Sequence, residues 1–150
     1  MTITCHPASD VAREVNPFLR GFGRMGPVHS SDSVFVVRDD QTLIGCVRLA
    51  REHGVCVLRS LLVHPQHQGR GHGAALVRAL LAQHEWHRGQ PIYCLAYPEL
   101  LAWYEQQGFE VVADADLPAH LRLRQLSLRL QHALTIGLRA VSQNFSAVDV

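Results

Sequence analysis

Gln68-Gly69-Arg70-Gly71-His72-Gly73 joins an apolar run, Val55 to Val63, to a helix-patterned run from Ala74 to His87. Glycines at alternate positions let the backbone turn sharply with no Cβ in the way, so that successive N–H groups can point into one concavity. The following helix adds the positive end of its dipole. Together these features suit an anionic group such as a phosphate or pyrophosphate. Spacing alone leaves a ligand-free glycine turn equally open. A dinucleotide fingerprint is excluded, because the glycines fall at 69, 71 and 73 and no acidic residue follows about 20 residues on, where Arg88-Gly89-Gln90 stands. A phosphate loop ending in Gly-Lys-Ser/Thr is excluded too, since the chain contains no lysine.

The context on both sides separates the two readings. Val63-His64-Pro65-Gln66-His67-Gln68-Gly69-Arg70-Gly71-His72-Gly73 resembles the acyl-coenzyme A loop of the GNAT family of N-acetyltransferases. Gln68, Gly71 and Gly73 match that pattern position by position. Downstream, Leu101-Ala102-Trp103-Tyr104-Glu105-Gln106-Gln107-Gly108-Phe109 looks like the family's second landmark, an aromatic-Tyr pair on a short helix closed by Gly-Phe. The likeness covers residues 30 to 115 well and the two ends poorly.

The resemblance implies acetyl-coenzyme A as cofactor and the primary amine of a small molecule or peptide as acceptor. It implies that backbone N–H groups from Gln68 through Gly69, Arg70, Gly71, His72 and Gly73 to Ala74 hold the diphosphate. Arg70 either adds charge there or is a solvated loop arginine. The strand end Leu61-Leu62-Val63 would splay from the next strand at a bulge, and Leu61 and Val63 would offer backbone groups to the pantetheine arm. Tyr104 would protonate the departing thiolate; apart from the family, a tyrosine on an amphipathic helix reads as packing. Two departures stand out. Val57 occupies the place where many relatives carry a glutamate base, and Tyr97 stands where an asparagine often bonds the pantetheine. Base duty would pass to water, to His64 or His29, or to the acceptor itself. The segment joining the first helices lines the acceptor pocket in the family, which makes Phe18, Phe22, Arg24 and Met25 substrate-side candidates, against a reading as core and loop residues. Arg59 joins them as an ionisable side chain on the strand before the loop.

The elements that must position these groups follow from the pattern. Thr2 to Cys5 reads as a strand, and Ser9 as the cap of a helix over 10–15. Asn16-Pro17 reads as the start of a second short helix. Three strands follow, Ser33 to Arg38, Thr42 to Arg51 and Val55 to Val63, joined by Asp39-Asp40 and Glu52-His53-Gly54 turns. The run 74–87 places Leu76, Leu80 and Leu81 on one face, with Arg78 and Gln83 outward. Ile92 to Ala96 is a strand, Pro98 opens the Tyr104 helix, and Phe109 to Ala113 is a strand. Leu121-Arg122-Leu123-Arg124 alternates like a strand, yet Leu123, Leu126 and Leu130 share a helical face and Pro118 favours a helix over 118–130, with Ala133 to Ala140 then pairing back with Phe109 to Ala113. The expected fold is one α/β domain over residues 1–150, with a mixed, mostly antiparallel sheet flanked by helices and splayed at the acyl slot. The tail from Gln143 is expected to fray.

Composition bounds the function class. With 150 residues, 47% hydrophobic, and a net charge of +1, the chain has neither the polarity of a disordered protein nor a basic excess for nucleic acid. Cys5, Cys46, Cys56 and Cys94 have no paired spacing and read as reduced thiols. The N-terminus is too polar for a signal peptide and no apolar run reaches membrane length, which points to the cytoplasm without a membrane partner. His84 and His87 at i, i+3, and His64, His67 and His72 at the loop, lack a third ligand of fixed spacing, so no metal is expected. A homodimer is compatible with the sequence. The rival function is a coenzyme A-binding sensor without efficient catalysis, motivated by Val57.

Overall fold

A computed structural model describes residues 1–23, 27–83, 90–131 and 135–141. Among these residues seven strands form one sheet: β1 (Ile3–Pro7), β2 (Ser33–Asp39), β3 (Thr42–Glu52), β4 (Val55–Val63), β5 (Pro91–Ala96), β6 (Glu110–Val111) and β7 (Ile136–Val141). Their order is β1-β2-β3-β4-β5-β7-β6. All neighbours are antiparallel except β4 and β5. The β3–β4 hairpin closes on two residues, His53 at φ 50° and Gly54 at φ 81°. Two positive φ values in succession match the right-handed twist of the flanking strands.

Among the described residues four helices cover the sheet: α1 (Ala8–Gly21), α2 (His72–Gln83), α3 (Leu101–Gln106) and α4 (Ala119–Leu130). Strand alternation sorts them by face. Phe35, Val37, Cys56 and Leu58 pack with Leu76, Val77, Leu80 and Tyr104 of α2 and α3. Val34, Val36 and Leu62 face the other way, against Val11, Val15 and Leu19 of α1. On that second face Ala50, Val57 and Tyr93 meet Leu121 of α4. So α1 and α4 share one face and leave a groove between them.

Two features open the sheet. The β3–β4 pairing steps from Cys46↔Leu62 to Arg48↔Arg59, so Ser60 and Leu61 oppose one residue, Val47. Ser60 sits at φ 57°, a left-handed conformation uncommon for a side-chain-bearing residue. This bulge switches the alternation: Leu58 before it and Leu61 and Val63 after it all pack on the α2–α3 side. The parallel β4–β5 pairing comprises Cys56↔Ile92 and Val57↔Tyr93. Beyond Val57 the strands part, while β5 stays paired to β7 as far as Ala96↔Ile136.

Several expectations need correction. Residues 8–21 form one helix, with Ser9 inside it and no side-chain cap. Pro17 is accommodated within α1, and Asn16, instead of capping a second helix, accepts a 2.9 Å hydrogen bond from the Val28 N–H through Oδ1. Helix α2 starts at His72, so Gly73 lies within its first turn. Strand β6 is shorter than expected, Glu110–Val111, while its expected pairing with the last strand is present, at Glu110↔Arg139 and Val111↔Leu138. In α4 the buried face is Leu121 and Gln125, whereas Leu123, Leu126 and Leu130 are exposed. Gln125 is buried because its Nε2 donates to the Thr135 carbonyl at 3.1 Å. The Gln143 tail, His84, His87, Arg24 and Met25 lie outside the described residues.

Candidate acyl-transfer site

At the end of β4 the chain makes a short 3-10 turn, Pro65–His67, before the glycines. His64 starts it, with Nδ1 accepting the Gln66 N–H at 3.1 Å. Gln68 Nε2 donates to the Val63 carbonyl at 2.9 Å, pinning the loop to the strand end. Gly69 and Gly71 take φ values of 79° and 85°, and a Cβ built on either would point into open space. The Gly71 carbonyl accepts the first helical hydrogen bond, from the Ala75 N–H at 3.0 Å. The N–H groups of the first turn of α2 therefore lack helical acceptors.

This turn borders a cavity of about 200 Å³ lined by Val63, His67, Gln68, Gly69, Gly71, His72, Gly73, Ala74 and Trp103. A Cβ on Gly73 would come within 3.4 Å of the Trp103 ring. His67 Nδ1 and His72 Nε2 are buried without a hydrogen-bond partner among the described residues. Unpaired buried nitrogens beside a helix N-terminus fit an anionic oxygen-rich group. The cavity thus gathers Val63, Gln68, Gly69, Gly71, His72, Gly73 and Ala74 from the expected set. Arg70 is exposed and outside the lining, and so is Tyr97, at 43% exposure beyond the end of β5. Leu61 lies at the bulge and Leu62 packs beneath α1. Trp103 belongs to the second motif, and no sequence signal marks its place in the cavity wall.

Tyr104 is 5% exposed, its ring edge-on to Trp103 at 5.0 Å and to Phe109 at 5.5 Å. Burial pushes the neighbouring Cys94 thiol up to about 12, with the Tyr104 side chain opposing the shift. Cys94 follows Tyr93, the last β5 residue paired to β4. The phenol therefore stands on the α2–α3 side, at the β5 edge of the opening.

The opposite face carries a groove of about 560 Å³ between α4 and the loop that follows α1 (the α1–α4 groove), lined by Pro27, His29, Ser31, Asp32, Arg48, Arg51, Glu52, His53, Arg59 and Arg124. Arg48 and Asp32 form a buried ion pair of 2.7 Å, with side chains 5% and 1% exposed. Arg48 Nε also donates to Ser60 Oγ at 2.9 Å, tying the pair to the bulge. Asp32 Oδ2 accepts the His29 N–H at 2.8 Å. Glu52 meets Arg124 at 2.9 Å, Arg59 at 3.0 Å and His120 at 3.2 Å. Burial works against ionisation of Glu52, but hydrogen bonds and charge from Arg124 and Arg59 outweigh it and hold the carboxyl below its usual value. Burial pushes His120 down, with Glu52 opposing. Arg59 is lowered by burial and by the Arg48 and Arg124 charges. Val57 is buried under α4, so the position expected for a base is an apolar seal.

Among the other candidates, Phe22 stacks edge-on against His64 at 5.2 Å and Phe18 at 5.4 Å, near the end of β4. The Arg48, Asp32, Glu52 and Arg124 cluster was missed. Its one sequence signal was a charged Arg48 in the middle of an otherwise apolar strand. Among the described residues no group of three metal-type ligands occurs, and no helix is long and apolar enough to cross a membrane.

A sheet parted between two parallel strands, with an anion cradle at the end of one, defines a class of acyl-transfer domains. The GNAT acetyltransferase domain matches residues 30–111, and the chain belongs to that family. No curated protein matches the sequence. The fold is similar to that of N-acetylglutamate synthase from Neisseria gonorrhoeae, solved with coenzyme A and N-acetyl-glutamate, at 18% identity and TM-score 0.68; 95% of this chain is covered and 36% of that one. The chain thus spans about a third of that protein's length. It is also similar to an acyl-CoA N-acyltransferase from Pseudomonas aeruginosa, at 21% identity and TM-score 0.64, over 94% of this chain and all (100%) of that one. Escherichia coli ElaA matches at 14% identity and TM-score 0.67, over 93% and 99% of the two chains. Such identities establish the shared fold.

Proposed function

We propose that this chain is an acetyl-coenzyme A-dependent N-acetyltransferase acting in the cytoplasm on the primary amine of a small molecule or peptide. The observation that carries this reading is the parting of β4 from β5 after Val57 and Tyr93, between the glycine cradle and the Tyr104 hydroxyl. Bound there, acetyl-coenzyme A supplies a thioester carbonyl carbon that takes the acceptor nitrogen as the C–S bond breaks, leaving an amide and a thiol.

Gln68 to Ala74 hold the diphosphate through backbone N–H groups, helped by the unpaired His67 and His72 nitrogens. Around Leu61 the bulge frees backbone groups for the pantetheine amides and for the developing oxyanion. The Val63 carbonyl is shared with Gln68 and serves more to shape the loop. Tyr104 donates its proton to the leaving sulfur and recovers one from solvent. Cys94, with its thiol held neutral, orients that hydroxyl without competing as a nucleophile. The acceptor reaches the opening from the α1–α4 groove, and its ammonium loses a proton to water or to His29 before attack. Glu52, held ionised below its usual range, is a weak base and serves to set Arg59 and Arg124.

The test is calorimetric titration with acetyl-coenzyme A, paired with a free-thiol release assay over a panel of amines. Binding with acceptor-dependent thiol release supports the enzyme. Binding without release from any amine favours the rival sensor reading, which the apolar Val57 motivates. Absence of binding refutes both.

A further inference from the structure

Resting on the acetyltransferase reading, we propose that the α1–α4 groove selects an acceptor that carries a carboxylate beside its amine, held by Arg59 and Arg124. The groove is lined by four guanidiniums, Arg48, Arg51, Arg59 and Arg124, against two carboxylates, Asp32 and Glu52, leaving a formal excess of two positive charges. Asp32 is committed to Arg48 inside the protein. Among the described residues, Glu52 alone answers both Arg59 and Arg124. A carboxylate has two oxygens and about four lone-pair sites, so one such group leaves donor capacity on two five-donor guanidiniums. Their side chains are 32% and 31% exposed, half-buried yet open to the groove.

Position adds to charge. Arg59 lies two residues past Val57, the last β4 residue paired to β5, and directly before the Ser60–Leu61 bulge. A carboxylate gripped by Arg59 therefore keeps its amine beside the stretch where the sheet opens. Charge-assisted, bidentate contacts of this kind discriminate strongly, because an amide isostere lacks both the charge and one acceptor. A cationic polyamine meets repulsion in the same groove.

The experiment uses the coenzyme A-saturated protein, titrated with N-acetylated amino acids (aliphatic, aromatic and acidic) and with the matching C-terminal amides. The acids should bind about 10- to 100-fold tighter than their amides, the range of hydrogen bonds to charged groups. N-acetyl-glutamate α-amide, whose only carboxylate is in the side chain, tells an α-carboxylate acceptor from one with an acidic side chain. Arg59→Gln should bring acid and amide within about threefold of each other, as expected for a lost charge-assisted contact, with coenzyme A affinity unchanged. Arg124→Gln, on the partly exposed face of α4, repeats the test should Arg59→Gln fold poorly. Equal binding of acid and amide, no acid binding, or a preference that survives in Arg124→Gln would overturn the proposal. Loss of coenzyme A binding by the wild-type chain would instead sink the acetyltransferase reading.

Discussion

Asp32→Asn isolates the buried pair beneath the groove. Asparagine keeps the size of Asp32 and can still accept the His29 N–H, now 2.8 Å from Oδ2. What it removes is the charge opposite Arg48, whose side chain is only 5% exposed. A guanidinium left without its counter-ion at that depth costs about 3–5 kcal/mol. The asparagine oxygen still accepts one hydrogen bond, so the low end, about 3 kcal/mol, is expected. For a chain of this size that lowers Tm by roughly 6–12 °C. Adding Arg48→Met removes the stranded cation and should recover most of the loss, less about 1 kcal/mol for the hydrogen bond to Ser60 Oγ. Urea unfolding of the two single variants and the double variant closes the cycle. A loss below about 1 kcal/mol in Asp32→Asn, the scale of an exposed pair, would refute the reasoning, as would a double variant no more stable than the sum of the singles.

Gly71→Val and Gly54→Val impose the same backbone penalty, at φ 85° and 81°, but only Gly71 lines the cradle. Both should lose similar stability by chemical denaturation, and only Gly71→Val should lose acetyl-coenzyme A affinity in calorimetry; equal affinities would remove the loop from the site. Tyr104→Phe keeps the packing on Trp103 and Phe109, and should lower kcat roughly 10- to 1000-fold with cofactor affinity preserved. Wild-type turnover in that variant would make Tyr104 structural. Glu52 is held below its ordinary carboxyl value of 4.5, so its contribution is present above that pH and fades as pH falls through the lower folded value. The stability gap between wild type and Glu52→Gln should therefore narrow on acidification below about 4.5, and a gap that widens there contradicts the assignment.

Local chemistry determined a large part of this protein on its own. The His53-Gly54 hairpin, the glycines that turn the chain into α2 and the span of β2 are decided by residue size and by φ preference, and all were legible in order. The Tyr104 helix was legible from Gly108-Phe109 after it, although Pro98 opens a 3-10 turn, Pro98–Leu100, and the helix itself begins at Leu101. What sequence periodicity could not decide is which of two apolar stripes finds a partner. In α4, Leu123, Leu126 and Leu130 make the better stripe, yet Leu121 and Gln125 are buried because the sheet presents Val57 and Tyr93 there and Thr135 offers a carbonyl. Pro17 was read as a break because the ring penalty is local, whereas the tertiary contacts of Val11, Val15 and Leu19 carry one helix through it. Beyond Arg59 and His29, named from the sequence, the groove belonged to the tertiary level: Asp32, Arg48, Glu52, Arg59 and Arg124 come from a loop, two strands and a helix. Ion pairs act through space, and no spacing along the chain encodes them until the sheet has brought those elements onto one face.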